Sequence, residues 1–489
     1  CVTSDTLIET SEGYRSVEEL TDKPFKARYN NEEYQATGFW STGTKEVYKL
    51  CTDSGYSIKA TYNHKILSDK GWVELGDLNI GDSIIINNNA GIEYTNTSEF
   101  DLGWLVGEII GDGGYNPTKY PAYVRFWGDS AKTMFDRAYS IVDKLPLTYH
   151  QPNKPKASKL DNNGIHTLAS KKLDILCDKY IDIGTKSFKH NIYHQSPSFL
   201  KGVLSGLFDA DGSVQGNLVK GVSIRLSSID LDRLEIVQRL LLQFGIKSTI
   251  YTNRKDAGYK SMPDGDGGSK DYFCKALHEL VISNYSFTLF GTTIGFKEPA
   301  KQERFELIES GRKRQANKDK FSSKVTSIVS VGLEEVYDCT VDTIHAFSAN
   351  GIIVHNCGEI LLPASGGFCC LTTINLSKFD NNIAEILAAA KLITRANYRQ
   401  TVVDFRDGIL QEKWHLNNEH LHLCGVSMMG VVESTLQPYD YSRLERIITA
   451  SGYAMAEELD KPHPKQLTTL KPEGTISKCY DSTEGMHKP

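Results

Sequence analysis

Two copies of one short pattern constrain the fold of this chain most. Residues 105–113 and 204–212 are each a run of apolar and small residues with helical character that ends in an aspartate and a glycine. The aspartates, Asp112 and Asp211, lie 99 residues apart, and a β-like run and an amphipathic helical stretch follow each of them. A unit that recurs in this way predicts a duplicated αββα domain.

The residues on both sides of this duplication favour β structure. Residues 1–95 contain short alternating runs punctuated by glycines, and 322–356 return to the same pattern, with separate strands predicted at 325–329 and 336–341. After residue 357 helical periodicity dominates. The order indicates a β module interrupted by the duplicated insert, with an unrelated segment behind it. The predicted segments are therefore 1–95, 97–320, 322–356 and 357–489.

Composition excludes several classes of protein. A chain of 489 residues is long enough for about three or four domains of roughly 100–200 residues each. Its formal net charge of −6 excludes a global basic field, so a nucleic-acid surface has to be local, as in the nine Lys/Arg against five acids of 297–324. Ten cysteines without a CxxC pair exclude a zinc ribbon and a disulfide scaffold. No apolar run reaches the ~18 residues of a membrane span and no signal peptide opens the chain, which predicts a cytoplasmic protein without a membrane partner.

Residues able to break and remake peptide bonds lie at both ends of the β module. A thiol can attack the peptide carbonyl before it and form a thioester, provided that the leaving nitrogen is protonated, and histidine suits that proton transfer near neutral pH. An asparagine before a second cysteine can attack its own carbonyl with its side-chain nitrogen, close a succinimide and cut the chain. The residues of these types are Cys1, Thr61, His64, Asp338, His345, His355, Asn356 and Cys357.

The sequence around these positions, at 1–8, 55–67, 336–347 and 354–357, resembles the splicing blocks of an intein of the Hint superfamily, whose fold is all-β and horseshoe-like. The resemblance implies a division of roles between the two junctions and no cofactor for splicing. Cys1 would begin the reaction with help from Thr61 and His64, and Asp338 would tune its thiol. Cys357 would accept the upstream segment, and Asn356 would cyclise with help from His355 and His345. Because no residue precedes Cys1 here, the upstream flank is expected to be absent and only cleavage before Cys357 to be available.

The duplicated insert resembles the LAGLIDADG homing endonucleases, which are α+β pseudo-dimers. LSGLFDADG at 204–212 agrees with that consensus at seven of nine positions and LVGEIIGDG at 105–113 at five. Small residues permit a close helix crossing, which would bring Asp112 and Asp211 together around Mg²⁺, an ion that prefers oxygen ligands. The implied reaction is metal-assisted cleavage of both strands of double-stranded DNA. Arg125 and Arg225, 13 and 14 residues after the aspartates, are predicted to form a basic pair near the scissile phosphates.

The last segment resembles part of a ribonucleotide reductase large subunit, an α/β barrel. The resemblance rests on Cys357-Gly358-Glu359, on Cys369 before 371–376, and on 471–477. It implies radical chemistry at Cys357 and Glu359, a redox thiol at Cys369 and a ribonucleotide substrate. The loop implied to hold the substrate phosphates consists of Pro472, Glu473, Gly474 and Thr475. The residues around this loop favour the adenosylcobalamin-dependent ribonucleoside-triphosphate reductases, and the segment is too short to turn over alone.

Two other interpretations stay open at this point. The insert can be a passive structural domain with acidic helix caps inside a metabolic enzyme. Alternatively, the β module can be a Hint domain that only cleaves, as in hedgehog-like autoprocessing. The Asn356–Cys357 junction followed by a reductase-like segment favours splicing.

Overall fold

The computed structural model of the chain describes residues 1–89, 95–116, 120–145, 156–157, 164–182, 185–263, 268–356, 366–406, 412–471 and 473–485. The chain divides into two units, Cys1–Cys357 and Gly358–Pro489. Within the described segments, every helix is too short or too polar to cross a membrane.

The first unit consists of twenty-three strands and seven α-helices among its described residues, together with short 3₁₀ helices at Leu75–Asp77 and His190–His194. The strands are β1 (Val2–Thr3), β2 (Leu7–Thr10), β3 (Gly13–Ser16), β4 (Phe25–Tyr29), β5 (Glu32–Ala36), β6 (Trp40–Thr52), β7 (Ser57–Thr61), β8 (Lys65–Ser68), β9 (Gly71–Glu74), β10 (Ser83–Ile85), β11 (Gly113–Asn116), β12 (Tyr120–Phe126), β13 (Lys156–Ala157), β14 (His166–Ala169), β15 (Gly212–Asn217), β16 (Gly221–Ser228), β17 (Ser248–Lys255), β18 (Gly258–Pro263), β19 (Ser269–Cys274), β20 (Leu277–Ile282), β21 (Ser322–Asp338), β22 (Ala346–Ala349) and β23 (Ile352–His355). The helices are α1 (Glu99–Asp112), α2 (Ala131–Lys144), α3 (Lys171–Tyr180), α4 (Pro197–Ala210), α5 (Leu231–Gln243), α6 (Asn284–Thr293) and α7 (Pro299–Ser310).

Strands from the two ends of the first unit form one hydrogen-bonded sheet of thirteen strands. Its order is β1-β7-β6-β21-β10-β8-β23-β22-β2-β4-β5, with β3 on β2 and β9 on β8. Strand β21 lies between β6 and β10, and the hairpin β22–β23 lies between β8 and β2. Residues 322–356 are thus interleaved with residues 1–89 and complete the same sheet.

The two strands predicted at 325–329 and 336–341 are in fact the single long strand β21. It pairs antiparallel with β6 from Val325 opposite Thr52 to Asp338 opposite Trp40, with three register shifts. The shifts interrupt the apolar alternation that sequence patterns depend on, while the backbone keeps its hydrogen bonds to β6. The prediction of two separate strands is therefore wrong, because β21 is one continuous strand.

The insert contains the predicted αββα unit twice. Helix α1, strands β11 and β12 and helix α2 form the first copy, and α4, β15, β16 and α5 form the second. Each copy has its own antiparallel sheet, in the orders β11-β12-β14-β13 and β15-β16-β20-β17. Strands β18 and β19 form a separate hairpin between β17 and β20. The apolar faces of α1 and α4 are buried in a core that both copies share.

Glycines line the crossing of α1 and α4, and because they have no side chain the two helices approach each other very closely. A Cβ added at Gly206 would lie 2.1 Å from the Trp104 carbonyl oxygen, and one at Gly107 would lie 2.2 Å from the Val203 carbonyl oxygen. The backbones themselves are in contact, so any side chain here has to push the helices apart.

The second unit has two parallel strands among its described residues. Strand β24 (Cys370–Asn375) pairs with β25 (Cys424–Met429), from Cys370 opposite Cys424 to Asn375 opposite Met429. The helices are α8 (Ile383–Gln400), α9 (Glu412–Leu421), α10 (Pro438–Glu458) and the short α11 (Thr475–Cys479). Residues of α8 and α10 pack on the strands around Ile386, Leu444 and Val426. This is a parallel α/β arrangement and less than a complete barrel.

The close crossing of α1 and α4 predicts a specific sensitivity to small substitutions. We expect Gly206→Ala to lower the free energy of unfolding by about 1–3 kcal/mol, because the new methyl group overlaps the Trp104 backbone. The matched control is Gly258→Ala, whose added Cβ has no heavy atom within 4 Å. Urea unfolding followed by circular dichroism measures both, and equal midpoints for the two variants would contradict the tight crossing.

Candidate functional site

Strand register places the first residue beside two of its predicted partners. In β1, Val2 lies opposite Ala60 of β7 and opposite Tyr337 of β21. Because both pairings are antiparallel, the next positions outward bring Cys1 beside Thr61 and beside Asp338. The Thr61 backbone N–H donates to the Cys1 carbonyl oxygen over 3.1 Å. Residues more than 300 positions apart thus meet through two ladders.

The nitrogen of Cys1 lies within reach of three predicted site residues. It is 2.7 Å from Nδ1 of His64, 3.4 Å from Oγ1 of Thr61 and 3.4 Å from Oδ2 of Asp338. His64, Thr61 and Asp338 are buried, at 1%, 3% and 2% exposure. The atom that would become the leaving group of the first peptide bond is therefore surrounded by a hydroxyl, an imidazole and a carboxylate.

Burial decides the protonation of His64. It lowers the pKa of the imidazole well below its usual value, and the positive charges of the Cys1 amino group and of His355 lower it further. His64 is consequently a neutral imidazole at neutral pH, and its Nδ1 accepts from the Cys1 ammonium group.

The second junction is assembled by the hairpin β22–β23. Ala346 pairs with His355, so His345 and Asn356 are the next residues outward, and the Asn356 N–H donates to the His345 carbonyl oxygen over 3.0 Å. His345 has a φ of 50°, in the left-handed region. Its ring stacks beside that of His355, with the two ring centroids 6.4 Å apart. Nδ1 of His355 lies 2.5 Å from the Asn356 carbonyl oxygen. Cys357, the other side of this junction, lies outside the described residues.

Asn356 is buried at 2% exposure, and neither its side-chain nitrogen nor its side-chain oxygen has a hydrogen-bond partner among the described residues. An unpaired buried amide is costly, so the Asn356 side chain contributes no stabilising hydrogen bond among the described residues. Burial lowers the pKa of His355, although its contact with the Asn356 carbonyl opposes that shift.

Three residues of these junctions escaped the sequence analysis. Oγ1 of Thr42 donates to the Cys1 sulfur over 3.2 Å, and Nζ of Lys45 lies 3.6 Å from the same sulfur. The indole of Trp72 packs edge-on against His355 at 5.0 Å. Thr42 and Lys45 lie on β6 and Trp72 lies on β9, and threonine, lysine and tryptophan on a strand carry no distinctive signal in a single sequence.

In the insert, the predicted aspartates lie at the ends of the two crossing helices. Asp112 is the last residue of α1, and Asp211 caps α4. A Cβ added at Gly111 would be 2.4 Å from the Ala210 Cβ and 3.5 Å from the Asp211 carboxyl carbon. The structure therefore brings Asp112 and Asp211 together, as the repeat pattern predicts.

The surroundings of the two carboxyls disfavour their ionisation. Burial raises the pKa of Asp112 to about 6, and repulsion by Asp211 adds to the rise while Lys301 and Lys186 oppose it. Burial also raises the pKa of Asp211. Two partly buried carboxylates that resist ionising side by side form an oxygen donor set that fits a divalent cation.

Two lysines flank this pair and were not predicted from the sequence. Nζ of Lys186 donates to the Gly111 carbonyl oxygen over 2.8 Å, and Nζ of Lys301 donates to the carbonyl oxygens of Phe208, Asp209 and Ala210. Each lysine thus caps the carboxyl end of one central helix, where a positive charge is favourable. They come from 75 and about 90 residues away in sequence, so no local motif points to them.

Two further carboxyls lie behind the pair. Burial raises the pKa of Glu108 well above its usual value, with repulsion by Asp209 and Asp112 adding to the effect. Burial also raises the pKa of Asp209 to about 6, although Trp104 Nε1 donates to it over 2.8 Å. Asp209 accepts in addition from the backbone N–H groups of Lys297 and Glu298, which identifies it as a structural residue that anchors the start of α7.

The predicted arginine pair is only partly as expected. Arg125 is exposed on β12 and stacks on Tyr123, with its guanidinium 4.9 Å from the ring centre. Arg225 of β16 instead pairs with Glu279 of β20 at 3.1 Å. The two arginines of the predicted symmetric pair therefore have different surroundings, and Arg225 shares the Glu279 carboxylate with Arg254, which lies 3.4 Å from it.

In the second unit, Cys369 immediately precedes β24, and burial raises the pKa of its thiol to about 11. Glu473 of the predicted phosphate loop is buried and binds Thr373 Oγ1 and Lys471 Nζ, each over 2.5 Å. Gly474 has a φ of 49° and precedes α11, which begins at Thr475. Glu359 and Pro472 lie outside the described residues.

Part of the insert matches a known protein family. Residues 198–295, which contain α4 and Asp211, match the LAGLIDADG-like domain. The match lies within the predicted segment 97–320 and covers its second repeat.

Two curated relatives carry different names. The chain is 30% identical over 403 residues to the ribonucleoside-diphosphate reductase NrdEB subunit alpha of Bacillus subtilis strain 168, which covers 74% of the chain and 36% of the relative. It is 25% identical over 433 residues to the replicative DNA helicase DnaB of Rhodothermus marinus, which covers 73% of the chain and 46% of the relative. The chain thus spans less than half the length of either relative.

Solved structures include a DnaB intein from Synechocystis sp. PCC 6803, at 13% identity and a TM-score of 0.24, covering 73% of this chain and 97% of that one. The endonuclease I-DmoI in complex with DNA and Mn is 19% identical with a TM-score of 0.28, covering 41% and 98%. The family match and the reductase relative support an enzyme that contains a LAGLIDADG-like domain in a chain similar to a ribonucleoside-diphosphate reductase subunit alpha.

The carboxylate pair predicts a pH-dependent stability. The folded pKa of Asp112, about 6, lies above its value of 3.8 in the unfolded chain, so ionisation costs the fold stability as the pH rises through this window. We expect Asp112→Asn to raise the melting temperature above that of the wild type at pH 7.5 in EDTA, and the difference to vanish near pH 4. The control Asp256→Asn, at an exposed position, should show no such trend. A difference between Asp112→Asn and the wild type that does not change with pH would contradict the raised pKa of Asp112.

Proposed function

We propose that residues 1–356 excise themselves from a host polypeptide and join the flanking segments, and that the insert at 97–320 cleaves double-stranded DNA. The observation that carries the first part is the register of β1 against β7 and β21, which surrounds the Cys1 nitrogen with His64, Thr61 and Asp338. A cluster with a purely structural role would not require the buried, neutral imidazole of His64 beside the Cys1 nitrogen.

The first step is an N-to-S acyl shift at Cys1 of a precursor. The Cys1 thiol gives up its proton to water, its sulfur attacks the preceding carbonyl carbon, and the carbon–nitrogen bond breaks. The Cys1 nitrogen takes up a proton from the protonated His64 imidazole, so the proton lost by the thiol is balanced by the one gained at nitrogen. In the precursor a peptide bond replaces the charged amino group, so one cause of the lowered His64 pKa is absent and the imidazole is more easily protonated. The contacts of Thr42 and Lys45 with the sulfur favour its thiolate form.

The later steps use the second junction. The thiol of Cys357 takes the acyl group from Cys1 by thioester exchange. The side-chain nitrogen of Asn356 then attacks the Asn356 carbonyl carbon, a succinimide forms, and the bond to the Cys357 nitrogen breaks. His355, in contact with that carbonyl oxygen, polarises it. A spontaneous S-to-N shift at Cys357 leaves an ordinary peptide bond between the flanks.

The relatives support an insert that recurs in different hosts. A ribonucleotide reductase subunit and a replicative helicase each match about three-quarters of this chain, although their names describe unrelated reactions. Residues 1–357 form a unit of comparable length. A mobile splicing element shared by the two hosts explains this pattern, whereas a passive domain of a single metabolic enzyme leaves it unexplained.

The proposed nuclease centre is the carboxylate pair. Asp112 and Asp211 would hold one or more Mg²⁺ ions, which supply Lewis-acid activation and charge neutralisation for phosphodiester hydrolysis. Lys186 and Lys301 hold the ends of the two helices, and therefore both carboxylates, at this position. The family match at 198–295 supports the assignment.

For the host, we infer a ribonucleotide reductase large subunit, whose catalytic loop would contain Cys357 and Glu359 with Cys369 as a redox thiol. Cys357 would then act first in splicing and later in radical chemistry. Nothing among the described residues of the second unit identifies a cobalamin site, so adenosylcobalamin dependence stays a prediction from the resemblance. The relative is named a diphosphate reductase, whereas the sequence favours a triphosphate reductase.

A precursor tests the splicing proposal. We expect a chain with a short upstream peptide ending in Asn-Pro to yield, by mass spectrometry under reducing conditions, a free fragment of residues 1–356 and the joined flanks. Asn356→Ala should slow release of the downstream segment at least about 100-fold, as loss of a reacting group does, while added thiol still frees the upstream peptide. The control His420→Ala, at an exposed helix position, should splice normally. Unprocessed precursor in every variant would support a passive insert, and release of the flanks without joining would support a cleavage-only domain.

A DNA assay tests the nuclease proposal separately. We expect protein with Mg²⁺ to cut a DNA carrying the host gene without the insert, and Asp211→Asn to lose at least about 100-fold of that rate because one carboxylate of the donor set is gone. Asp256→Asn is the matched control at an exposed position of the same segment. Intact DNA with the wild-type protein would mean that the insert lacks this activity.

A further inference from the structure

Three metal-binding side chains meet at a surface that neither reaction uses. Glu19 follows β3 of the thirteen-stranded sheet, whereas His190 and His194 lie on the 3₁₀ helix of the insert. One ligand atom from each of the three residues lies within 4.8 Å of the others. The cluster therefore joins the two parts of the first unit, which are separated by about 170 residues in sequence.

The spacing of the donor atoms suits one ion. Nε2 of His194 is 2.9 Å from one Glu19 carboxylate oxygen, and Nε2 of His190 is 3.4 Å from the other. A tetrahedral ion with bonds of about 2.0–2.1 Å holds its ligand atoms about 3.3 Å apart, so small side-chain rotations suffice. The donors also lie partly open to solvent, which leaves room for a water ligand.

The fold holds the two histidines in this orientation. Between them, Ile192 and Tyr193 are buried at 0% and 4% exposure in the core of the insert, and Tyr193 packs on Tyr14 of β3 at 5.9 Å. Because these two side chains point inward, His190 and His194 are turned outward on one side, with ring centres 5.7 Å apart.

Glu19 is oriented by its own neighbours. The Ser16 N–H and the Ser16 hydroxyl donate to its Oε2 over 2.8 and 3.1 Å. Burial opposes ionisation, but these hydrogen bonds and that of His190 lower the pKa of Glu19 to about 2. Hydrogen bonds of this kind fix the direction of a metal-binding carboxylate.

The charges around the cluster are compatible with a cation. The Glu19 carboxylate supplies a negative charge between the two imidazoles. Two cations lie nearby: Arg15, which has Glu12 at 3.7 Å, and Lys23, whose Nζ donates to the Glu19 carbonyl oxygen over 3.1 Å.

We propose that Glu19, His190 and His194 bind Zn²⁺ and that the ion links the insert to the thirteen-stranded sheet, an arrangement called the zinc clip. Two imidazole nitrogens and one carboxylate form a donor set that suits zinc, whereas Mg²⁺ and Ca²⁺ prefer oxygen ligands. The site is distinct from the carboxylate pair and from the Cys1 junction, so the test of zinc binding does not depend on the proposed reactions.

Zinc titration of the full chain tests the clip. We expect calorimetry to show one equivalent of Zn²⁺ lost in the double variant His190→Ala/His194→Ala, and at least about tenfold weaker binding in Glu19→Gln and in Ser16→Ala. Zinc should raise the melting temperature of the wild type and not of the double variant. The matched control is His463→Ala, which removes a histidine 3.3 Å from Glu457 without a second histidine.

Cobalt distinguishes this site from sites that contain cysteine. Co²⁺ bound by nitrogen and oxygen ligands shows visible d–d bands, and a thiolate ligand adds a charge-transfer band in the near ultraviolet. We expect the d–d bands without charge transfer, and their loss in Glu19→Gln, which is nearly isosteric and should keep the wild-type circular dichroism. Equal zinc stoichiometry and affinity in wild type and double variant would overturn the proposal and leave an ion pair only.

Discussion

The antiparallel pairing of β21 is the interaction on which the first unit depends. This strand is hydrogen-bonded to β6 over most of its length and also to β1 and β10. Through β1 it brings Asp338 to the Cys1 nitrogen, and it continues into the hairpin that carries His355 and Asn356. Backbone ladders, rather than side-chain contacts, therefore bring together residues that are more than 300 positions apart.

The same pairing explains how a large insert is tolerated. Ile85 of β10 lies opposite Ser322 of β21, so the chain leaves the sheet and returns to it at neighbouring positions. Residues 97–320 occupy the gap without breaking a ladder. The insert nevertheless packs against this sheet, since Leu242 of α5 lies in the core of the thirteen-stranded sheet and Gln238 donates to the Ser54 carbonyl oxygen.

Inside the insert, close packing and electrostatics oppose each other. Glycines at the crossing of α1 and α4 let the backbones touch, and this contact places Asp112 and Asp211 close together, where burial raises the pKa of both carboxyls and Asp211 adds to the rise at Asp112. The fold accepts the cost because the shared apolar core on either side of the crossing is large. A buried acidic pair is stabilised by a bound cation, so the strain belongs to the proposed function rather than to folding.

The sequence by itself determined what local pattern can carry: the repeat, its two aspartates, the β character of both flanks, and the cysteine, histidine and asparagine of each junction. These signals are local because helix periodicity, strand alternation and short reactive motifs extend over only a few residues. The tertiary structure decided the rest: that β21 is one strand, that Arg225 pairs with Glu279, and that Thr42, Lys45, Lys186 and Lys301 contact the sites. Such contacts depend on register and helix crossing between distant segments, and common residues on exposed elements leave no trace of them in a single sequence.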